Sequence, residues 1–187
     1  EQTGHFDVNI GWEKFAMLTS FSYSDYGDLR MGQYGPEEYK RGFYVQREDS
    51  EDVVITNPDP LVQNPTGYSQ TNFMQKIRFT PNKKLDFKYG FHYSATTDVP
   101  RNDRLARTKN GKPISGEWYY GPQIWAMNNM QVSHESPTKL YNQLNMRFAH
   151  QYFEESRINR GFNKPNRTKR VEKVNAYSWN LDLKKLL

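Results

Sequence analysis

The sequence of 187 residues contains no cysteine, and no run of apolar residues reaches the length of a membrane-spanning helix. The first absence excludes a disulfide framework and a thiolate metal site. The second excludes transmembrane helices, which need about 20 consecutive apolar residues. No secretory signal peptide is visible. Because the chain begins at Glu1 rather than at a methionine, we expect it to be a fragment of a longer protein.

Apolar residues are also scarce, at 35%, and the mean hydropathy is −0.98. Aromatic residues nevertheless reach 15%, whereas a disordered chain of the same hydropathy would have few of them. The combination predicts a protein that confines its apolar side chains to one narrow band and is polar elsewhere. The net charge of +5 is modest and the cations are spread along the chain, so no nucleic-acid partner is predicted.

Apolar and polar residues alternate with a period of two in several segments, and residues 85–94 are the clearest case. Successive side chains of a strand point to opposite faces, so such a segment has one apolar and one polar face. On one face lie Leu85, Phe87, Tyr89, Phe91 and Tyr93, and on the other Asp86, Lys88, Gly90, His92 and Ser94. Residues 6–12, 15–24, 72–79, 124–134, 143–148 and 175–183 follow the same pattern. We therefore predict seven strands, with Gln75, Asn128, Asn142 and His150 as polar exceptions on the apolar face.

Short and long connections alternate strictly between these strands. The short connections are Glu13-Lys14, Pro81–Lys84 and Ser136–Lys139, and the first should place Trp12 and Phe15 on the same face. The long ones cover residues 25–69, 96–121 and 154–173. Structureless loops beyond about 15 residues are uncommon in soluble domains. Outer-membrane barrels, however, combine short periplasmic turns with long extracellular loops.

A soluble β-sandwich or a lipocalin-like barrel would show the same alternation, with its apolar face turned inward. Two features favour the membrane. The strands run about ten residues, which matches a tilted membrane span, and aromatic residues gather near strand ends, as in an interfacial girdle. The prediction is an all-β fold, in which residues 1–187 form part of one antiparallel transmembrane β-barrel domain. Seven strands cannot close such a barrel, so we expect further strands from sequence outside this chain.

Three segments resemble the barrel domain of TonB-dependent outer-membrane receptors, in the style found among Bacteroidetes. These are residues 18–32, 120–134 and 140–162. The most specific is the run Phe153–Arg157 together with Arg160, which is similar to the end of a barrel strand in receptors of the haem, haemoglobin and transferrin class. The spacing of strands and connections resembles that of this family over most of the chain, but only these three segments resemble it by motif.

The resemblance implies a 22-stranded barrel in a Gram-negative outer membrane, with an N-terminal plug and uptake powered by the TonB complex. The implied partners are membrane lipids and lipopolysaccharide, the plug of the same chain, the TonB complex through sequence absent here, and an extracellular nutrient. The expected nutrient is a siderophore-type iron chelate or haem, and the alternative is an oligosaccharide or a peptide. Neither the plug nor the TonB-contacting segment is recognisable in these residues.

No enzyme activity, cofactor or metal site is predicted. Some outer-membrane barrels are lipid hydrolases or acyltransferases, and His92 and Ser94 share a face. No third orienting group stands at a recognisable spacing, and the histidines do not have the spacing of metal ligands. The enzyme remains the competing class of function.

Two groups of polar residues are candidates for ligand contact. Arginine binds anionic oxygens with two donors, and aromatic rings stack on planar ligands. The loop candidates are Arg30, Tyr34, Arg41, Tyr44, Arg101, Arg104, Arg107, Trp118, Tyr119 and Tyr120. The residues predicted to line the lumen are Lys76, Arg78, Asp86, Lys88, His92 and Arg147. The plainer interpretation is a solvated loop in the first case and a solvated wall of ion pairs in the second.

Overall fold

The computed structural model describes residues 1–186, and nearly all of its regular structure is β-strand. The strands are β1 (Gln2–Gly11), β2 (Phe15–Tyr26), β3 (Phe43–Glu48), β4 (Glu51–Thr56), β5 (Tyr68–Asn82), β6 (Leu85–Thr96), β7 (Val99–Pro100), β8 (Thr108–Lys109), β9 (Lys112–Pro113), β10 (Ser115–Tyr120), β11 (Ile124–Glu135), β12 (Gln143–Gly161) and β13 (Thr168–Lys184). A one-turn helix, α1, covers Asn102–Leu105, and a 3₁₀ turn covers Glu37–Tyr39. No helix among residues 1–186 is long and apolar enough to span a membrane.

The seven long strands form one antiparallel sheet in the order β1-β2-β5-β6-β11-β12-β13. Each strand pairs with the next long strand along the chain, as in a meander. Strand β10 continues along the same edge of β12 where β11 ends, and β7 pairs with β10. The sheet is not closed, because β1 and β13 form its two edges. The prediction of an all-β fold with seven antiparallel strands is confirmed, and the membrane barrel stays a prediction.

The register places most apolar residues of the seven strands on one side of the sheet, with exceptions such as Leu18, Met74 and Trp125. Directly opposed residues share a face. One row across the sheet reads Ile10, Met17, Ile77, Tyr89, Met130, Phe148 and Trp179. A row on the other side reads Gly11, Ala16, Arg78, Lys88, Gln131, Arg147 and Asn180. We call these sides the aromatic face and the polar face.

Except at the end of β12 where the long loops lie, no second layer of residues 1–186 covers the aromatic face. Phe6, Met130 and Trp179 on that face are 62%, 50% and 64% exposed. Among residues 1–186, the only buried apolar side chains are Leu105 and Ile158, and both belong to the end of the sheet where the loops lie. A soluble sandwich would need a second sheet over the aromatic face. The described residues do not supply one.

Polar residues on the aromatic face bond to one another within that face. Thr19, Gln75, Asn128 and His150 fall in a single row across the sheet. Thr19 Oγ1 donates to Gln75 Oε1 at 2.7 Å, and the Tyr89 hydroxyl donates to Asn128 Oδ1 at 2.6 Å. His150 Nε2 lies 2.9 Å from Asn175 Oδ1, so three of the four exceptions are paired, which lowers the cost of keeping them among apolar neighbours. The fourth, Asn142, lies just outside β12.

Tight turns lie at one end of the sheet. Trp12 and Phe15 flank the first turn, and their ring centroids are 5.7 Å apart, which confirms their predicted placement on one face. Asn82 Oδ1 accepts hydrogen bonds from the backbone N–H groups of Lys84 and Leu85 and so shapes the second turn. The third connection, residues 136–142, is held by Thr138, whose hydroxyl bonds to both backbone groups of Tyr141.

At the other end, two of the three predicted long connections are present, at residues 27–67 and 97–123. The predicted long connection at residues 154–173 is wrong. Strands β12 and β13 continue to pair as far as Asn159 and Thr168, which leaves a connection of residues 162–167. The alternation of apolar and polar residues did not predict this extension, because the paired residues there are mostly polar. Backbone hydrogen bonds between strands form without an apolar face.

Candidate functional site

The two long loops meet at the end of the sheet opposite the tight turns. The first loop contributes the β3–β4 hairpin, and the second contributes α1 and β10. Both lie against the far end of β12, where Ser156, Ile158 and Arg160 are buried. These three alternate residues point to one side of β12, so that side is covered by the loops. We call this region the loop end.

Three guanidinium groups and two aromatic rings form a cluster at the loop end. The Arg101 guanidinium lies 5.2 Å from the ring centroids of both Trp118 and Tyr120. Arg104 lies 5.9 Å from Trp118, and Arg157 lies 5.4 Å from Tyr120. The two rings meet edge to face with centroids 5.3 Å apart. We call these five residues the arginine–aromatic cluster.

Local structure explains how the arginine–aromatic cluster forms. Trp118 and Tyr120 are two residues apart on β10, so their side chains share a face. The β10–β12 register places Tyr120 opposite Arg157. Helix α1 follows Arg101, whose backbone N–H donates to the Trp118 carbonyl at 3.0 Å. The cluster is therefore assembled from three different elements.

Arg101 is already engaged within the cluster. Its Nε and Nη2 donate to the two Asp103 carboxylate oxygens at 2.7 and 2.9 Å, and its Nη1 donates to the Tyr120 hydroxyl at 2.8 Å. These hydrogen bonds raise the pKa of Arg101, and the bond from Arg101 lowers the pKa of Asp103. Arg104 lies 3.6 Å from the same carboxylate, which therefore serves two arginines. The cluster keeps a net positive charge and suits an anionic ligand with a flat surface.

The predicted loop residues fall into different places in the structure. Arg101, Arg104, Trp118 and Tyr120 are brought together in the arginine–aromatic cluster. Tyr119 faces away from it, and its hydroxyl accepts a hydrogen bond from Arg167 Nη1 at 3.4 Å. Arg107 is exposed and lines a hollow beside Arg104.

The candidates from the first loop do not converge. Arg30 is exposed and forms an ion pair with Asp59, whose pKa is lowered mainly by that hydrogen bond. Tyr34 is 96% exposed. Tyr44 lies in β3 opposite Ile55, and Arg41 is buried. The structure thus brings most of the second predicted set together and disperses the first.

Sequence reasoning did not select Arg157 as a ligand-contacting residue. It stands in the motif Phe153–Arg157, but the predicted strand stopped before it. Continuing the period of two along β12 would have placed Arg157 on the side of the strand that carries Phe153 and Glu155. Its neighbour in space, Tyr120, depends on the β10–β12 pairing, for which the sequence offers no local signal.

A buried ion pair also holds the loop end together. Two nitrogens of Arg160 donate to the two Asp52 carboxylate oxygens at 2.6 and 2.7 Å, and both side chains are almost fully buried. Arg160 Nε donates to Glu117 at 2.8 Å, and Arg47 donates to Asp52 at 3.0 Å. The hydrogen bond from Arg160 is the largest cause that lowers the pKa of Asp52 to about 2, and its carboxylate partners raise the pKa of Arg160.

Gly116 makes room for this ion pair. A Cβ atom at that position would lie 2.3 Å from Asp52 Oδ2 and 2.8 Å from Arg160 Nη2. The backbone N–H of Asn163 also donates to Asp52 Oδ2 at 2.6 Å. The pair therefore links the β3–β4 hairpin to β10, to the end of β12 and to the connection that follows β12.

The residues predicted to line a lumen share the polar face. Asp86 accepts two hydrogen bonds from Arg78, at 2.9 and 3.0 Å, and lies 3.2 Å from Lys88. Arg147 lies in the same row as Arg78 and Lys88, and Lys76 and His92 occupy other rows of the same face. Hollows of about 540, 330 and 120 Å³ lie along the sheet, and polar-face residues supply most of their lining. The polar face is therefore the concave side of the sheet.

Among residues 1–186, no three acidic or histidine side chains converge as a metal site would require. Comparison with known proteins adds no identification, because no protein-family model, no curated protein and no solved structure matches this chain.

Proposed function

We propose that this chain is part of the membrane-spanning barrel of a bacterial outer-membrane receptor that takes up a nutrient by the TonB-dependent route. The observation that carries the proposal is the uncovered aromatic face of a single-layered sheet of seven long antiparallel strands. Contiguous apolar surfaces of this extent mark contact with lipid or with another protein. Lipid suits this face because its side chains are apolar or aromatic in most rows, while the polar face carries the charged side chains.

The two ends of the sheet support the same interpretation. Three short turns lie at one end, and the long, folded loops lie at the other, as in barrels whose turns face the periplasm and whose loops face the outside. The unpaired edges of β1 and β13 cannot remain open in lipid, because their backbone groups would have no hydrogen-bond partners. We infer that further strands complete the barrel in the intact protein.

The arginine–aromatic cluster supports an anionic, partly planar cargo. Three guanidinium groups can bind carboxylates or other anionic oxygens, and the indole and phenol rings can stack on a flat ligand. An iron chelate or haem combines both features and is the cargo that we propose. An oligosaccharide or a peptide is the rival cargo, since sugars depend on aromatic platforms more than on cations. The proposal assigns no catalytic residue.

Spin labels at adjacent positions of β6 test the membrane placement in the intact protein embedded in lipid vesicles. Labels at Phe87 and Phe91 should be accessible to oxygen dissolved in the lipid. Labels at Lys88 and His92 should instead be accessible to a water-soluble nickel chelate. If the labels at Phe87 and Phe91 are shielded from both reagents, a second protein layer covers the aromatic face. The chain would then belong to a sandwich.

Paired substitutions in the cluster test the cargo. Arg101→Gln with Arg104→Gln should weaken binding of an anionic iron chelate or haem to cells at least tenfold. Trp118→Ala with Tyr120→Ala should weaken both candidate classes of cargo. Lys83→Gln, in the tight turn at the opposite end of the sheet, and Tyr39→Ala are exposed positions outside the cluster and serve as controls. If the variants grow normally under iron limitation but poorly on a glycan as the sole carbon source, the cargo is a sugar and not an iron chelate or haem.

A further inference from the structure

Arg41, in the first loop, has no charged partner among residues 1–186. It is 3% exposed. Its Nε donates to the Asn64 carbonyl at 3.1 Å, and its guanidinium lies 5.0 Å from the Phe43 ring centroid. Its Nη2 is buried and has no hydrogen-bond acceptor. No ion pair within 4.0 Å joins Arg41 to a carboxylate of residues 1–186.

Hydrogen bonds hold the backbone of Arg41 in place on both sides of the peptide unit. The Asn57 side chain, itself buried, donates to the Arg41 carbonyl at 2.7 Å, and the Arg41 N–H donates to the Pro60 carbonyl at 2.7 Å. Burial lowers the pKa of Arg41, and no neighbouring charge offsets that effect. A buried cation without a partner is costly, and native structures pair such groups with an anion.

A cavity of about 130 Å³ adjoins Arg41. Its walls include Val45 of β3, Leu105 of α1, and Trp118 and Tyr119 of β10, so it lies between the two long loops. Glu117 also lines it: one of its carboxylate oxygens accepts from Arg160 Nε at 2.8 Å, and the other has no hydrogen-bond partner and lies 3.7 Å from Arg167. Arg41 is thus a buried cation with no hydrogen-bonded carboxylate among residues 1–186, beside largely apolar walls and the Glu117 carboxylate.

We propose that this cavity binds a small aliphatic monocarboxylate, with the carboxylate on Arg41 and the short carbon chain against Leu105 and Trp118. The volume is about four times the roughly 30 Å³ that one water occupies in the liquid, which fits a carboxylate with a few carbon atoms. A single guanidinium matches one carboxylate by a two-donor contact. A doubly charged anion would find too few donors on this single guanidinium.

The site is distinct from the arginine–aromatic cluster, although Trp118 contributes to both. Arg41 and Val45 come from the first loop, whereas Leu105 and Trp118 come from the second, so a bound acid would join the two loops. The inference does not depend on the membrane placement or on the cargo. Failure of either test above would leave it unchanged, and its own failure would leave the proposed function unchanged.

Saturation-transfer NMR on the purified intact protein tests this site with butyrate as the probe and butyramide as its neutral counterpart. Butyrate should receive saturation from the protein, and butyramide at the same concentration should not. Arg41→Gln should lower butyrate affinity at least tenfold. Leu105→Phe, which fills the cavity but keeps the cation, should do the same. Arg170→Gln, at an exposed position of β13, should bind butyrate like the unchanged protein.

Equal signals from butyrate and butyramide, or butyrate binding that survives both Arg41→Gln and Leu105→Phe, would overturn the proposal. The absence of butyrate binding at tens of millimolar would also overturn the proposal, because it would mean that only water contacts Arg41. The circular dichroism spectrum of each variant checks folding. Arg41→Lys provides a second variant that keeps the charge, and it should bind butyrate more weakly than arginine but better than glutamine.

Discussion

Asp52 and Arg160 are the residues on which the loop end most depends. Their two parallel hydrogen bonds are buried, and Glu117 and Arg47 extend the pair into a network. Replacing a buried ion pair by apolar groups can be neutral, whereas removing one partner leaves an uncompensated charge and costs about 3 to 5 kcal/mol. The pair therefore matters chiefly because each member depends on the other.

We expect Asp52→Asn to release the β3–β4 hairpin from the sheet. The lost charge should cost about 3 kcal/mol, equivalent to more than a hundredfold in local opening. The measurement is the hydrogen-exchange protection of the amides in Phe43–Glu48 and Glu51–Thr56. The amides of β6 and β11 should keep their protection, because their pairing does not involve the hairpin.

Two controls accompany this prediction. Asp103→Asn removes an exposed partner of Arg101 and should cost less than about 1 kcal/mol. Gly116→Ala should act like Asp52→Asn, since its Cβ would enter the space of the ion pair, whereas Gly42→Ala has open space and should be mild. Unchanged hairpin protection in both Asp52→Asn and Gly116→Ala would show that the ion pair does not hold the loops.

The same carboxylate predicts how the hairpin responds to acid. The pKa of Asp52 is about 2 in the folded protein and rises toward its ordinary value of 3.8 when the hairpin opens. Because the opened form binds the proton more readily, the contribution of Asp52 is complete above pH 4 and is lost as the pH falls toward 2. Protection factors of the hairpin amides, which correct for intrinsic exchange rates, should decrease over that interval in the unchanged protein. In Asp52→Asn they should not show this decrease.

At the scale of the strand, alternate residues of β6 lie on the aromatic face and on the polar face. Phe91 lies in the middle of the aromatic face, and the adjacent His92 lies on the polar face. A charged side chain near the membrane midplane of a barrel costs about 2 to 4 kcal/mol on the lipid side, and a lumen position tolerates it. Phe91→Arg should therefore lower the free energy of unfolding from vesicles by that amount, and His92→Arg should change it little. Equal effects of the two substitutions would argue against a lipid-facing aromatic side.

The strands show how far a period of two can predict a sheet. Leu85–Ser94 alternates without exception, and β6 extends only two residues beyond it. The hairpin at Glu13-Lys14 followed from its two flanking aromatic residues, Trp12 and Phe15. The extension of β12 to Gly161 could not be predicted in this way, because its far end carries polar residues that are buried by loops rather than by an apolar face.

At the scale of the whole molecule, the open edges make a specific prediction. In an edge strand every second backbone N–H faces outward without a partner, and such edges are not tolerated in lipid. If further strands complete the barrel in the intact protein, all amides of Gln2–Gly11 should be protected from hydrogen exchange. Protection of only every second amide in β1 and in β13 would mean that the sheet remains open, and the barrel proposal would fail.

The sequence by itself determined the seven long strands, their faces, the tight turns and two of the three long connections. These features depend on neighbours in the chain, because side chains two apart share a face and turn residues act locally. Only the tertiary structure decided which loop residues meet. Two of these contacts, Arg157 with Tyr120 and Asp52 with Arg160, join residues that are far apart in sequence. Their partners are chosen by register and loop packing, which no local pattern encodes.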